Sequence, residues 1–169
     1  MILRACLAIC VMGVFCLPAG GQEEGQIYRI KNRFTDKVLV PNDDGTLLVQ
    51  TTPKPKEEHN RWKLVKAKNE NFFRIINVAT GKAITSPSKE ALAQVALEAP
   101  NSEEKSKGGQ LWSFEKRGEM FTIQSRHSGF YLDVAMLEKA DGATIIQQEL
   151  NEKGSRGNQV WDLVPVKSP

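Results

Sequence analysis

Cysteine is absent from most of this sequence, because Cys6, Cys10 and Cys16 all lie within the first 21 residues. Disulfide bonds therefore cannot stabilise residues 22–169, and a hydrophobic core must hold that part of the chain together. Histidine is also scarce, with two residues in the whole chain. A metal site built from several histidine and cysteine ligands is excluded on these counts.

The sequence also lacks a long apolar run. The longest uncharged apolar stretch covers residues 5–17, whereas a membrane-spanning helix needs about 20 residues. Arg4 precedes this stretch and four small residues follow it at 18–21, which is the arrangement of a secretory signal peptide. We therefore expect a signal peptide over residues 1–21 and a secreted, extracellular protein with no transmembrane segment.

Neither sign of charge dominates the remaining chain. Residues 22–169 carry 22 basic and 20 acidic side chains, a net charge of +2. This balance argues against a nucleic-acid partner and against strong attraction to anionic lipids. The length is sufficient for one domain with a substantial core, so we expect a single domain over residues 22–169.

A repeated phrase contains all three tryptophans of the chain. It reads EHNRWKLV at 58–65, GGQLWSFE at 108–115 and GNQVWDLV at 157–164. Trp62, Trp112 and Trp161 are 50 and 49 residues apart. A fixed spacing of this size indicates three copies of one structural unit.

Two further phrases follow the same spacing. The first is YRIKNRFTDKVLV from residue 28, FRIINVATGKAIT from residue 73 and FTIQSRHSGFYLD from residue 121. In each copy an aromatic residue is followed by isoleucine at the second position, a small polar residue at the fourth and an aliphatic residue at the eleventh. The second is GTLLVQ at 45–50 and GATIIQ at 142–147, with AQVALE at 93–98 as a weaker copy.

The local pattern within each copy is typical of β-strands. Aromatic and isoleucine residues alternate with polar ones, and turn-forming residues separate them from the next apolar segment. Each unit accommodates four short strands, so the pattern predicts an all-β protein of about twelve strands. The alanine-rich segment 88–99 also fits a helix, but the repeat assigns its second half to a strand.

The glutamine two residues before tryptophan has a predicted structural role. Residues two apart in a strand share a face, so Gln110 is expected beside Trp112 and Gln159 beside Trp161. A buried glutamine needs hydrogen-bond partners, and the polar loop that precedes it offers its backbone. We therefore predict that each phrase fastens a surface loop to the core, with Asn60 in place of glutamine in the first unit.

These motifs resemble the ricin B-chain type lectin domain over residues 27–166. The resemblance rests on the threefold period, on Gln-x-Trp at 110–112 and 159–161, and on SGFYLDV at 128–134. It implies a β-trefoil with repeats at about 27–66, 72–115 and 120–166. It also implies binding of carbohydrate, often of galactose type, in shallow pockets of up to three units, with a glycan or glycoprotein as partner.

The resemblance implies one plausible sugar site, in the third repeat. The family's sugar-binding aspartate follows the aliphatic residue of the second strand, and this position holds Val40, Thr85 and Asp133 in the three repeats. The other implied ligands are Gln147, Asn158 and Gln159. The stacking aromatic of the family falls on Glu149, so His127, Phe130 or Tyr131 would have to provide the apolar wall.

A catalytic function has little support in the sequence. His127 and Ser128 are adjacent, but a nucleophile needs a base held in reach and oriented by a third group. The paired glutamates at 57–58 and 103–104 lie among lysines, with nothing apolar nearby to raise a pKa. We expect a protein that is not an enzyme and needs no cofactor. The alternative is a protein-interaction module, such as a protease inhibitor, that acts through the loop at 52–59.

Overall fold

The computed structural model describes residues 25–54, 56–68, 71–101, 109–151 and 157–166. The predicted signal peptide lies outside the described residues. Within them the chain forms twelve β-strands, as the sequence pattern predicts. The strands are β1 Ile27–Asn32, β2 Val38–Pro41, β3 Leu48–Thr51, β4 Trp62–Lys66, β5 Phe73–Asn77, β6 Ala83–Thr85, β7 Ala96–Glu98, β8 Trp112–Arg117, β9 Met120–Ser125, β10 Tyr131–Val134, β11 Ile145–Gln148 and β12 Trp161–Pro165.

Six of the strands close into an antiparallel barrel. β1 pairs with β4 and β12, β5 pairs with β4 and β8, and β9 pairs with β8 and β12. Each repeat contributes its first and fourth strands to this ring. Because the ring is closed, the barrel exposes no unpaired strand edge.

The other six strands form three hairpins that cover one end of the barrel. The pairs are β2 with β3, β6 with β7, and β10 with β11. The three hairpins meet about a common axis, where the amide of Leu48 donates to Val95 O at 2.9 Å and that of Val95 donates to Ile145 O at 3.0 Å. A six-stranded barrel capped by three hairpins is the β-trefoil, and the predicted fold class is confirmed.

The three tryptophans lie in the shared core, fully buried. Each indole N–H donates to the carbonyl of the aliphatic residue in the second strand of its own repeat. The acceptors are Leu39 O at 2.9 Å, Ile84 O at 2.9 Å and Leu132 O at 3.3 Å. Each tryptophan therefore joins its hairpin to the barrel while contributing a large apolar area to the interior.

The predicted fastening of the loops is confirmed. Gln159 Nε2 donates to Glu149 O at 2.7 Å, and its Oε1 accepts from the amide of Asn151 at 2.9 Å. Gln110 makes the same pair of bonds to Ala99 O and to the amide of Asn101. Asn60 reaches Lys54 O at 2.7 Å in the first repeat.

The middle repeat follows the strand prediction rather than the helical alternative for residues 88–99. β7 occupies Ala96–Glu98, and Gln94 forms an isolated bridge to Ile146. Leu92 has a positive φ of 66°, which a right-handed helix cannot accommodate. The alanine content of this segment favours a helix weakly, and pairing with the neighbouring hairpins outweighs that preference.

Candidate functional site

The hairpin of the third repeat carries the only carboxylate among the three equivalent positions. Val40 and Thr85 occupy the corresponding places on β2 and β6, and both are buried, as is Asp133, whose exposure is 6%. Because the second and third strands pair in the same way in all three repeats, the aspartate is not needed to form this hairpin. Its charge requires a separate explanation.

Asp133 is paired with a residue from the end of the third loop. Asn158 Nδ2 donates to Asp133 Oδ1 at 2.8 Å, and the backbone of Asn158 accepts from the amide of Val134 at 3.2 Å. Burial raises the pKa of the Asp133 carboxyl above its ordinary value, while hydrogen bonding from the amides of Asn158 and Gln159 opposes the rise. A carboxylate can accept about four hydrogen bonds, so Asp133 retains acceptor capacity for a ligand.

Strand register determines which side chains share the face of Asp133. Asp133 lies opposite Ile146, and Tyr131 lies opposite Gln148. Paired residues of antiparallel strands project to the same side, so these four residues form one surface. Ile146 and Gln148 were not predicted from the sequence. Gln148 lies two residues after Ile146 on the same strand, and the alternation of side chains along a strand would have placed both on one face.

Gln147, which the resemblance implies as a sugar ligand, lies on the other side of the hairpin from Asp133. It pairs with the buried Leu132, is itself fully buried, and donates to Ser88 O at 2.9 Å and Glu90 O at 2.7 Å. Its Oε1 accepts from the hydroxyls of Ser86 and Ser128 at 2.7 and 3.0 Å. A glutamine that uses both ends of its amide in this way joins the second repeat to the third.

Gln50 shows that this is a structural role. It occupies the same register position in the first repeat, opposite Leu39. Its Nε2 donates to Glu138 O at 2.9 Å and Ala140 O at 3.3 Å, in the third repeat. Each glutamine therefore donates hydrogen bonds to a neighbouring repeat, at the connection between that repeat's second and third strands.

The other predicted site residues are divided between the site and its support. Gln159 is fully buried and holds the backbone of the loop that carries Asn158. Tyr131 shares the face of Asp133, and its hydroxyl lies 3.4 Å from both carboxylate oxygens of Glu115. Burial, with Glu115 adding to it, raises the pKa of the Tyr131 hydroxyl. Phe130 is half-buried and precedes β10.

The stacking aromatic of the family falls on Glu149, but Glu149 lies outside the paired residues that define the face of Asp133. It lies one residue beyond β11 and is exposed, and its carbonyl accepts from Gln159. The residue on the face of Asp133 at that end of β11 is Gln148, which is polar and half-buried. Gln148 is not aromatic either, so neither residue supplies a stacking surface.

A hollow of about 480 Å³ occurs at the equivalent place in the first repeat. It is lined by residues 40–43, at the end of β2, by 49–51 in β3, and by Asp141 and Gly142 from the tip of the third repeat's hairpin. Val40 and Val49 are the counterparts of Asp133 and Ile146. The hollow therefore outlines the space that the first repeat's hairpin provides beside the third repeat.

The described residues offer neither a metal site nor a membrane-spanning helix. They contain no group of three or more His, Cys, Asp or Glu side chains that is arranged to hold a metal ion. Among the same residues, no helix is long and apolar enough to cross a membrane.

Comparison with known proteins agrees with this architecture. ThreeFoil, a designed threefold-symmetric protein, superposes with a TM-score of 0.74 at 24% identity, over 83% of this chain and 99% of its own. The Macrolepiota procera ricin B-like lectin, solved with lactose, gives a TM-score of 0.71 at 12% identity, over 86% and 99%. The exo-β-1,3-galactanase of Clostridium thermocellum gives 0.73 at 28% identity, and the match covers 83% of this chain but 30% of the galactanase.

A search of curated protein sequences gives no match. The sequence profile of the ricin-type beta-trefoil lectin domain-like family matches residues 14–98 and 108–168. These ranges include most of the chain and all three tryptophan phrases. The chain therefore belongs to the ricin-type β-trefoil lectin domain-like family.

Proposed function

We propose that this protein is a secreted, non-catalytic carbohydrate-binding protein whose sugar site lies in the third repeat. The observation that carries the proposal is the pair of Asp133 and Asn158, joined at 2.8 Å beside the hairpin of that repeat. Family membership and the lactose complex of the Macrolepiota procera lectin support carbohydrate as the ligand class. Secretion rests on the sequence of residues 1–21.

Asp133 and Asn158 have the chemistry that a sugar requires. A carboxylate accepts hydrogen bonds from two neighbouring hydroxyls, and an amide both donates and accepts. The mutual bond fixes the two groups before a ligand arrives, which lowers the entropy lost on binding. Tyr131 and Ile146 share the same face and supply apolar surface next to these polar groups.

Gln159 supports the site indirectly. By holding Glu149 O and the amide of Asn151, it fixes the backbone at the start of the loop that leads to Asn158. Its amide also contributes to the hydrogen bonding that lowers the pKa of Asp133. This favours the ionised carboxylate, the form that accepts hydroxyl hydrogen bonds, while burial still raises the pKa of Asp133 overall.

A glycan array tests the proposal. Wild-type protein is compared with Asp133→Asn, which removes the charge with little change of shape. We expect loss of saccharide binding by about 10- to 100-fold, because a hydrogen bond to a charged group contributes about 1.5–3 kcal/mol. Asp43→Asn is the matched control, since it makes the same charge change on an exposed residue of the first repeat.

The loop at 52–59 provides the second candidate, a protein-interaction function. Lys54 O accepts from Asn60 Nδ2 at 2.7 Å and from the amide of Glu57 at 3.2 Å, so the base of this loop is ordered. A preordered loop binds a protein partner at lower entropic cost. Binding that survives Asp133→Asn and is lost when residues 52–59 are replaced would favour this function and contradict the sugar site.

A further inference from the structure

Two large apolar side chains are exposed in strained backbone conformations. Leu92 is 61% exposed with φ at 66°, and Met136 is 98% exposed with φ at 52°. Positive φ is unfavourable for residues that carry a Cβ, and exposure gives neither side chain any burial in the core. Folding therefore gains nothing from these side chains. Strain of this kind is retained where the residue serves another purpose.

Hydrogen bonding places Leu92 at the tip of the second repeat's hairpin, beside the third. The amide of Leu92 donates to Gln147 O at 2.8 Å, and the amide of Gly142 donates to Gln50 O at 2.8 Å. Leu92 is therefore the counterpart of Gly142. Gly142 has a φ of 82°, a conformation that glycine adopts readily.

Met136 has a defined counterpart in the same way. The amide of Ala135 donates to Thr144 O at 3.1 Å, as the amide of Asn42 donates to Leu47 O at 2.9 Å. Ala135 thus corresponds to Asn42. The next residue along the chain, Met136, therefore follows the end of β10 as Asp43 follows the end of β2, although the connection to the third strand is longer in the third repeat.

These correspondences place both residues at the border of the third-repeat site. In the first repeat, Asp43 and Gly142 line the hollow beside Val40 and Val49. Their counterparts Met136 and Leu92 occupy the two border positions beside Asp133 and Ile146. The third-repeat site thus has a polar centre with Met136 and Leu92 at its two border positions, where the hollow of the first repeat has Asp43 and Gly142.

We propose that Leu92 and Met136 form an apolar border of the third-repeat site and select saccharides that carry a methyl group, such as acetamido or 6-deoxy sugars. The proposal rests on the sugar-binding function proposed above. Aliphatic and thioether side chains lack the negative face with which an aromatic ring holds polarised C–H groups. They interact best with a group that is itself apolar, and a methyl group is the apolar substituent that sugars commonly carry.

The experiment measures the binding of matched sugars by isothermal titration calorimetry. The probes are the methyl glycosides of galactose, N-acetylgalactosamine, N-acetylglucosamine and fucose, which all share the same aglycone methyl, so that the acetamido or 6-deoxy methyl is the methyl group that the galactoside lacks. Wild-type protein is expected to bind at least one probe with an acetamido or 6-deoxy methyl at least about fourfold more tightly than methyl galactoside, the factor that corresponds to burying one methyl-sized group. Leu92→Gly and Met136→Gly are each expected to abolish this preference.

Glycine is chosen because it removes the side chain and also relieves the positive φ. Both variants are expected to unfold at the wild-type temperature or above it, so that loss of preference cannot be due to loss of folding. Val164→Ala, which trims another exposed apolar residue, 39% exposed and on β12, is the control and is expected to keep the preference.

The outcomes separate this inference from the function on which it rests. Asp133→Asn is expected to weaken all probes together. A preference that persists in both glycine variants, or wild-type protein that binds methyl galactoside equally well, overturns the inference while the sugar site stands. If no probe binds, or if Asp133→Asn leaves binding unchanged, the proposed sugar site fails and the inference fails with it.

Discussion

Asp133 holds a charge where water has little access. Val40 and Thr85 show that the same backbone position accepts an apolar or a neutral polar residue. A buried carboxylate costs folding free energy unless it is hydrogen-bonded, and the amides of Asn158 and Gln159 compensate only in part, since the pKa of Asp133 remains raised. This cost is consistent with a residue retained for binding.

The raised pKa of Asp133 predicts how sugar binding depends on pH. The protonated carboxyl loses acceptor capacity and charge, so we expect saccharide affinity to fall as the pH drops through the pKa of this group. Because that pKa is raised, the loss begins at a higher pH than for an aspartate with the ordinary value of 3.8. Titration calorimetry at several pH values between about 3.5 and 8, a range that begins near the ordinary pKa of aspartate, measures the effect. A pH-independent affinity would contradict it.

The same shift predicts the pH dependence of stability with a definite sign. The folded state binds the proton of Asp133 more tightly than the unfolded state does, so this group's stabilising contribution is fully present below the unfolded pKa. It is lost as the pH rises through the raised folded pKa. In urea unfolding, the free energy of unfolding of the wild type relative to Asp133→Asn should therefore increase as the pH falls from above the folded pKa of Asp133 to below its unfolded pKa. A decrease would show that the folded-state pKa is lowered.

At the scale of strands and hairpins, the site depends on register. The residues of β11 alternate between the core and the face of Asp133, and a shift of one residue exchanges the two sets. The family resemblance implies Gln147 as a sugar ligand because the family uses a polar residue of the third strand, and Gln147 also ends the repeated phrase that Gln50 ends in the first repeat. In both repeats that phrase ends in a buried tie to a neighbouring repeat. A shared phrase indicates a shared structural role, whereas a single sugar site must come from residues that differ between repeats.

Replacing Gln147 tests its structural role. Gln147→Leu introduces the residue type that Leu97 provides at the equivalent position opposite Ile84 in the second repeat. It leaves Ser88 O and Glu90 O without the amide donor, and we expect a loss of about 1–3 kcal/mol of stability. Gln50→Leu should have a similar effect.

Gln148→Leu is the matched control for both glutamine variants. Gln148 is half-buried and its Oε1 accepts only from the amide of the next residue, Glu149, at 3.0 Å among the described contacts. Its replacement should change the free energy of unfolding by less than about 0.5 kcal/mol. Equal effects of the Gln147 and Gln148 replacements in urea unfolding would refute the assigned role of Gln147.

The strained loop positions could not be predicted from the sequence. Leu92 and Met136 appear there as ordinary apolar residues, and only the hairpin geometry shows that their φ angles are positive and their side chains exposed. Comparison of the repeats does offer one signal, because Leu92 stands where Gly45 and Gly142 stand in the other hairpins. The sequence hides this correspondence because AQVALE at 93–98 is a weak copy of GTLLVQ and GATIIQ. The backbone hydrogen bonds are needed to align it with them.

The fold itself was predictable because the core repeats. Trp62, Trp112 and Trp161 recur at nearly constant spacing, and buried positions tolerate few residue types, so the period survives in the sequence. No repeat can bury its apolar face alone. The barrel closes only when β12 of the last repeat pairs with β1 of the first, and this makes each tryptophan part of one common interior.

This closure predicts that the protein unfolds as one unit. Trp161→Phe should lower stability by about 2–4 kcal/mol, because it removes buried volume and leaves Leu132 O without the indole donor. Since strands of all three repeats form the ring, damage in the third repeat must destabilise the first two equally. Fluorescence of the two remaining tryptophans, which lie in the first and second repeats, should therefore change at the same urea concentration as far-ultraviolet circular dichroism. If the fluorescence transition kept its wild-type midpoint while the circular dichroism transition shifted, the third repeat would be unfolding separately, and the closed ring would not be the unit that stabilises the molecule.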